Sequence, residues 1–254
     1  MLSILITNDD GIHTRGIKQL AEELGCMYDV YVVAPDRERS ATGHSISLHD
    51  PIRVKELERG RVYSIDGTPV DSVHVALLGL IKKPVFTIVS GINFGLNLGQ
   101  DVFYSGTVSA AFQANTFGIH GIAISIDREG DKIYYETASR VALALVKKLE
   151  SLKGGARFIL NVNVPNLPFK EIRGIEITRL GKRIYRDKMI EREDPKKNKY
   201  FWFEGGNIED VLEPGTDVYV VRKNRVSITP LTLDLTAYND IEMLKDEGFS
   251  DILE

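Results

Sequence analysis

The chain has 254 residues, a formal net charge of −4, 43% apolar residues and 27% charged residues. These values suit a globular protein with one large α/β domain, alone or with an elaboration. They argue against a dedicated nucleic-acid binder, which usually carries a basic excess. One cysteine, Cys26, excludes an internal disulfide or a Cys-rich zinc site and fits a reducing compartment. No stretch approaches the ~18 consecutive apolar residues of a membrane span. The start, MLSILITNDDG, lacks the basic and long apolar regions of a leader. The expectation is a cytoplasmic protein that engages neither membrane nor nucleic-acid polymer.

In chain order, residues 2–7 (LSILIT) read as a fully buried strand. A helix over 16–24 follows, with Gly25 as its stop and Cys26 as a buried small residue. Residues 29–34 (DVYVVA) form a strand closed by Pro35-Asp36, and a polar loop, DRERSATGHSIS, leads to a strand at 61–66. Thr68, Pro69 and Asp71 have the spacing of a helix N-cap, first position and capping partner. A buried strand at 85–90 ends in GINFGLNLG, and SGTVSAAFQANTFG reads as a helix. A strand at 121–126, a helix at 132–150 and a strand at 157–164 complete this half. Continuous apolar strands alternating with helices predict a Rossmann-like, mainly parallel sheet covered on both faces, an α/β three-layer fold over residues 1–170.

The pattern changes over 171–254. Residues 181–199 hold eight Lys/Arg and four Asp/Glu, followed by the aromatic run YFWF at 200–203. This basic arm reads as a solvated hairpin, or as a surface that draws anions toward the site. Residues 217–229 read as an antiparallel hairpin turning at 223–225, and the tail reads as helical. An exposed β-rich arm of this kind invites exchange between copies, which predicts a homo-oligomer.

In doubly wound sheets a ligand sits beyond the carboxyl ends of the strands. Asp9 and Asp10 follow the first strand, Ser40 lies in the loop after the second, and Asn93 and Asn97 follow the strand at 85–90. Two adjacent carboxylates repel unless a positive charge relieves them. Carboxylate, amide and hydroxyl oxygens suit Mg²⁺, Mn²⁺ or Ca²⁺ better than zinc. Asn-Asp-Asp-Gly alone also reads as a simple turn. Ser105, Gly106 and Thr107 stand where a helix begins, which is either an anion site or a plain N-cap. His13 and His44 flank the acidic pair and are candidates to move a proton. His74 and His120 read as structural. The dinucleotide fingerprint is absent after strand one, and no Walker A sequence occurs.

ITNDDG, PDRERSATGHSIS, SGINFGLNLGQDVFYSGTVSAA and NVNVP occur in one order along nearly the whole chain. Together they resemble the SurE survival-protein family of nucleotidases. The resemblance implies a phosphomonoesterase that needs one divalent cation per subunit and releases phosphate from nucleoside monophosphates, with short polyphosphate as a further substrate. It implies metal ligands at Asp9, Asp10, Ser40 and Asn93, and a phosphate site lined by Gly43, Asn97, Ser105, Gly106 and Thr107. It also implies a swapped C-terminal arm and a dimer or tetramer. The nucleophile, whether water or one of the aspartates, stays open. A receiver-type signalling domain also carries an acidic pair after strand one. It needs a phospho-accepting Asp, for which Asp66 is the candidate, and a Lys after strand five that this chain lacks. A non-catalytic nucleotide-binding or scaffold protein is the other alternative.

Overall fold

The early strands are short apolar runs because each is covered on both faces. The computed structural model describes residues 1–252, and β1 (Ser3–Thr7) is buried at every position. Ile4 and Ile6 enter one core, whereas Leu5 enters the opposite one. The chain continues through α1 (Arg15–Gly25), β2 (Asp29–Pro35), β3 (Val54–Glu58), β4 (Val62–Ile65), α2 (Pro69–His74) and β5 (Val85–Phe94). It then forms α3 (Gly106–Thr116), β6 (His120–Ile126), α4 (Tyr135–Glu150) and β7 (Ile159–Val164). β4, β2, β1, β5, β6 and β7 lie in that order and are all parallel. α1 and α4 pack on one face through Leu20, Leu24, Val141 and Leu145. α2 and α3 pack on the other through Val73, Ala110 and Ala114.

Local chemistry explains where the elements start. At α2 the Thr68 hydroxyl accepts from Asp71 N at 3.1 Å and Asp71 Oδ2 accepts from Thr68 N at 2.8 Å. This closes the capping box ahead of Pro69 at the first helical position. The chain runs outward from β1 to β2 and β4, then returns to β5 on the opposite side of β1. β1 and β5 therefore bound the switch point of the sheet, where their carboxyl ends leave a crevice.

The second part contains β8 (Ile175–Ile177), β9 (Lys182–Tyr185), β10 (Lys188–Glu193), β11 (Lys199–Glu204) and β12 (Ile208–Val211). α5 (Asp217–Val221), β13 (Val226–Leu231) and α6 (Tyr238–Asp246) follow. β9 with β12 and β10 with β11 form the stem and tip of one antiparallel arm. β13 lies antiparallel to β7 and carries β8 as a parallel edge strand, extending the sheet to nine strands. α6 buries none of its residues.

The α/β architecture and the β-rich arm are those expected, but three local expectations are corrected. Residues 217–221 are helical, not the first strand of a hairpin. Thr216 caps the turn, Val218 and Val221 pack on Leu98, and tertiary contacts override the β-branched alternation. β3, for which the sequence offered no element, is an exposed edge strand pairing antiparallel with β4, and its polar sequence hides it. Gly25 is the last residue of α1 and not a left-handed stop. Cys26 is exposed, with its thiol donating to the Glu22 carbonyl at 3.3 Å.

Asp217 anchors the new helix to the first half of the chain. Fully buried, it accepts from the backbone N–H groups of Gly99 at 2.9 Å, Gly181 at 2.7 Å and Val218 at 2.8 Å. Asp217→Ala leaves three buried donors without their acceptor and should lower unfolding free energy by roughly 3 kcal/mol. Urea denaturation measures this, and a loss under about 1 kcal/mol would contradict the anchoring role.

Candidate active site

Beyond Thr7 the chain turns at once. The Asn8 side chain accepts from Gly11 N at 3.2 Å and donates to Gly11 O at 3.0 Å and Thr14 Oγ1 at 3.1 Å. This bracing sets Asp9 and Asp10 at the carboxyl edge of the sheet. Asp9 is only 4% exposed. Its Oδ1 accepts from the Thr107 hydroxyl, and its Oδ2 accepts from Thr107 N at 3.1 Å. The amino end of α3 thus faces a carboxylate, the orientation its dipole favours. A Cβ on Gly106 would stand 2.9 Å from Asp9 Cβ, so glycine permits this approach. Asp10 Oδ2 accepts from Phe94 N at 3.0 Å.

Burial raises the Asp9 carboxyl above its ordinary range despite the Thr107 hydrogen bonds. Burial and the Asp9 charge push Asp10 up to about 6. Among the described residues, no cationic side chain forms an ion pair with either carboxylate.

A cavity of about 950 Å³ opens over this edge, and Asp9, Ser40, Asn93, Asn97 and Ser105 line it. Asn93 Nδ2 donates to Gly95 O at 2.6 Å, which leaves Oδ1 as the free end of the amide. Ser40 Oγ donates to Glu38 Oε1 at 2.7 Å. Asn97 is clamped from β7: its N–H donates to Asn163 Oδ1 at 2.8 Å, and its carbonyl accepts from Asn161 and Asn163. Ser105 caps α3 by accepting from Val108 N at 3.1 Å. Gly106 and Thr107 stand behind Asp9 and do not line the cavity. Gly43 N donates to Tyr104 O at 3.0 Å and ties the Ser40 loop to the turn before α3.

The two flanking histidines lie outside this cavity. His13 lines a separate cleft of about 390 Å³ with Asp36 and Asp66, and His44 stands edge-on to Phe112 at 5.1 Å. Asp66 pairs with Arg53 at 3.1 Å in that second cleft, remote from the position a receiver-type mechanism needs.

The facing wall comes from the arm and α5. Arg183 is bonded to Asp101 at 2.8 Å and Asp210 at 2.9 Å, and Tyr185 donates to Asp101. Arg222 joins Asp210 at 2.8 Å to Asp127 at 3.2 Å. These residues, with Phe203 and Ile208, were not singled out in the sequence. Within a charged arm such residues read as a solvated face, and only the reading of basic 181–199 as a surface that draws anions toward the site pointed to this wall.

The family model described as Survival protein SurE matches residues 4–187. The chain belongs to the SurE family. The 5'-nucleotidase SurE of Legionella pneumophila (strain Paris) is 47% identical over 246 residues, 96% of each sequence. The 5'-nucleotidase SurE of Geobacter metallireducens is 43% identical over 251 residues, 99% of each. The crystal structure of the SurE protein from Aquifex aeolicus matches with a TM-score of 0.84 at 38% identity, covering 97% of this chain and 99% of that one.

The divalent cation associated with SurE nucleotidases fits the donors present here. Asp9, Ser40 and Asn93 line one cavity, Asp10 adjoins Asp9, and all four offer hard oxygen atoms. Among the described residues no trio of His, Cys, Asp or Glu stands at ligating positions, so such a cation would rest on this mixed oxygen set.

The acidic pair has a signed effect on stability. Asp10 titrates near 6 in the fold against 3.8 when unperturbed, so the folded chain holds the proton more tightly. That contribution is full below pH ~4 and is lost as pH rises through about 6, up to roughly 3 kcal/mol at 1.36 kcal/mol per unit. In chelated protein, Asp10→Asn should therefore be more stable than the parent at pH 7 but not at pH 4. Equal pH profiles by urea denaturation would contradict this.

Proposed function

We propose that the chain is a divalent-metal-dependent 5'-nucleotidase that hydrolyses nucleoside monophosphates to nucleoside and phosphate, with short polyphosphate as a second substrate. The observation that carries the reading is the Asp9–Asp10 pair, Asp9 buried, Asp10 half-buried and neither in an ion pair, beside the cavity and the start of α3. The family and the names of its near relatives support the same reaction.

Asp9, Asp10, Ser40 and Asn93 would hold one Mg²⁺, Mn²⁺ or Ca²⁺. When bound, that ion supplies charge neutralisation at the phosphoryl oxygens and acidifies water. The chain's own residues position the substrate. The Ser105 hydroxyl accepts from Val108 N and keeps its hydrogen for a phosphoryl oxygen. Asn97 Nδ2 spends one hydrogen on Ser125 Oγ at 2.8 Å and retains the other. The Asn161–Asn163 clamp fixes the Asn97 backbone and Ser125 holds its side-chain amide, so little ordering entropy is lost when phosphate binds. Thr107 holds Asp9 against α3 and fixes the direction of its carboxylate.

A second copy of the chain is proposed as the natural partner of the arm, giving a homo-oligomer, dimer or tetramer. The β10–β11 tip exposes Phe201, Trp202 and Phe203, each more than half exposed. A cytoplasmic setting is proposed as well; among the described residues no helix is long and apolar enough to cross a membrane.

The reading is tested by phosphate release from nucleoside monophosphates, p-nitrophenyl phosphate and short polyphosphate, after chelation and with Mg²⁺ or Mn²⁺ restored. Chelation should abolish release and restored cation should recover it. Asp9→Asn should lower turnover at least about a hundredfold, since several kcal/mol of charge stabilisation depend on the ligand set. Nucleotide binding without phosphate release under any metal would instead favour a non-catalytic nucleotide-binding protein.

A further inference from the structure

Three arginines line the cavity: Arg128, Arg183 and Arg222. Two of them are already neutralised. Arg183 lies between Asp101 and Asp210, and Arg222 between Asp127, Glu129 and Asp210. Arg128, just beyond the end of β6, forms no ion pair among the described residues, although it is held in place. Its Nε donates to the Phe94 carbonyl at 2.8 Å, and its guanidinium carbon stands 5.3 Å from the centre of the Phe94 ring. Gly95 gives it room: a Cβ there would stand 2.5 Å from Arg128 Nε. Phe94 follows Asn93 in the chain and donates its N–H to Asp10, so the guanidinium is fastened to the segment that carries the acidic pair.

A guanidinium fixed through Nε and one ring face keeps both terminal nitrogens free to donate. Such a fork matches two oxygens of one phosphoryl group. We infer that Arg128 is an anion-binding residue of this site and takes the phosphoryl oxygens of the substrate through its terminal nitrogens. The inference rests on the nucleotidase reading and adds a phosphate contact outside the Asn97–Ser105 wall. It divides the cavity cations by task, with Arg183 and Arg222 building the wall and Arg128 meeting the ligand.

The test uses full-length protein with Mg²⁺, comparing Arg128→Gln, Arg128→Lys and the parent. Calorimetry with inorganic phosphate reads binding without turnover. Steady-state kinetics use a nucleoside monophosphate and p-nitrophenyl phosphate, which share only the phosphoryl group. Arg128→Gln should weaken inorganic phosphate and raise KM for both substrates by a common factor of about ten, the loss of one charge-assisted pair. Arg128→Lys should recover part of that loss, because it keeps the charge and loses the fork. Phosphate affinity and KM within twofold of the parent would overturn the assignment, whether or not thermal stability falls. A KM rise confined to the nucleotide would also overturn it, placing Arg128 against the nucleoside. If the parent releases no phosphate from any substrate, the nucleotidase reading fails by itself. Calorimetry then decides Arg128 separately: weaker phosphate binding by Arg128→Gln supports the assignment and unchanged binding overturns it.

Discussion

Two carboxylates forced together at the buried end of a strand are the constraint that organises this molecule. β1 is central in the sheet and apolar on both faces, so its last residues leave the core with little water around them. Like charges in that setting repel, and each is costly to ionise. The surroundings offset this with directed N–H groups, and among the described residues no cation forms an ion pair with either carboxylate, although Arg128 is close enough to ease the ionisation of Asp10. Thr107 binds both oxygens of Asp9, and Phe94 binds Asp10. The amino end of α3 is drawn against the sheet by the same contacts. A lysine beside the pair would stabilise the resting protein, yet it would occupy the charge that the proposed cation would meet. The capping box, the two-faced core and Asp217 supply stability elsewhere.

The second half of the chain completes the cavity and is not an independent appendage. β13 enters the sheet beside β7, and α5 carries the buried Asp217 that receives N–H groups from both Gly99 and Gly181. Asp101 and Asp210 fasten the arm stem to the turn leading into Ser105 through Arg183. Arg183 and both of its carboxylate partners are mostly buried, so removing any one strands a charge. A disturbance at the stem therefore reaches the start of α3 over very few bonds.

How much of this was legible in the sequence depends on the range of the interaction responsible. Local rules sufficed for β1, for the α2 capping box and for Ser105 as the α3 cap, because their partners lie within a few residues. The acidic pair, Ser40, Asn93 and Asn97 were legible as loop residues converging on one sheet edge, since parallel topology dictates that convergence. The helix at 217–221 was not, because its alternation favours a strand and only the long-range bonds of Asp217 reverse the preference. Asp101, Arg183 and Arg222 were hidden for a similar reason: partners 82 and 95 residues apart leave no spacing to read. Thr107 was legible as a residue of the first turn of α3, but its attachment to Asp9 emerged only from the packing of α3.

The charges of the cavity form two zones, and the separation follows from how the walls are built. On the arm side, Arg183 and Arg222 are both matched to carboxylates in a mostly buried network, so that wall is rigid and offers no free positive charge. On the sheet side, Asp9 and Asp10 carry unmatched negative charge, while Arg128, beyond the end of β6, carries unmatched positive charge and is fastened to Phe94. Were all these charges free, they would pair with one another and close the cavity. Holding Asp9 on Thr107, Asp10 on Phe94 N and Arg128 on Phe94 O keeps opposite charges near each other but apart. Such an arrangement is complementary to the paired cation and phosphate of the proposed reaction. The backbone of a single residue, Phe94, separates the two charges by holding one on its N–H and the other on its carbonyl.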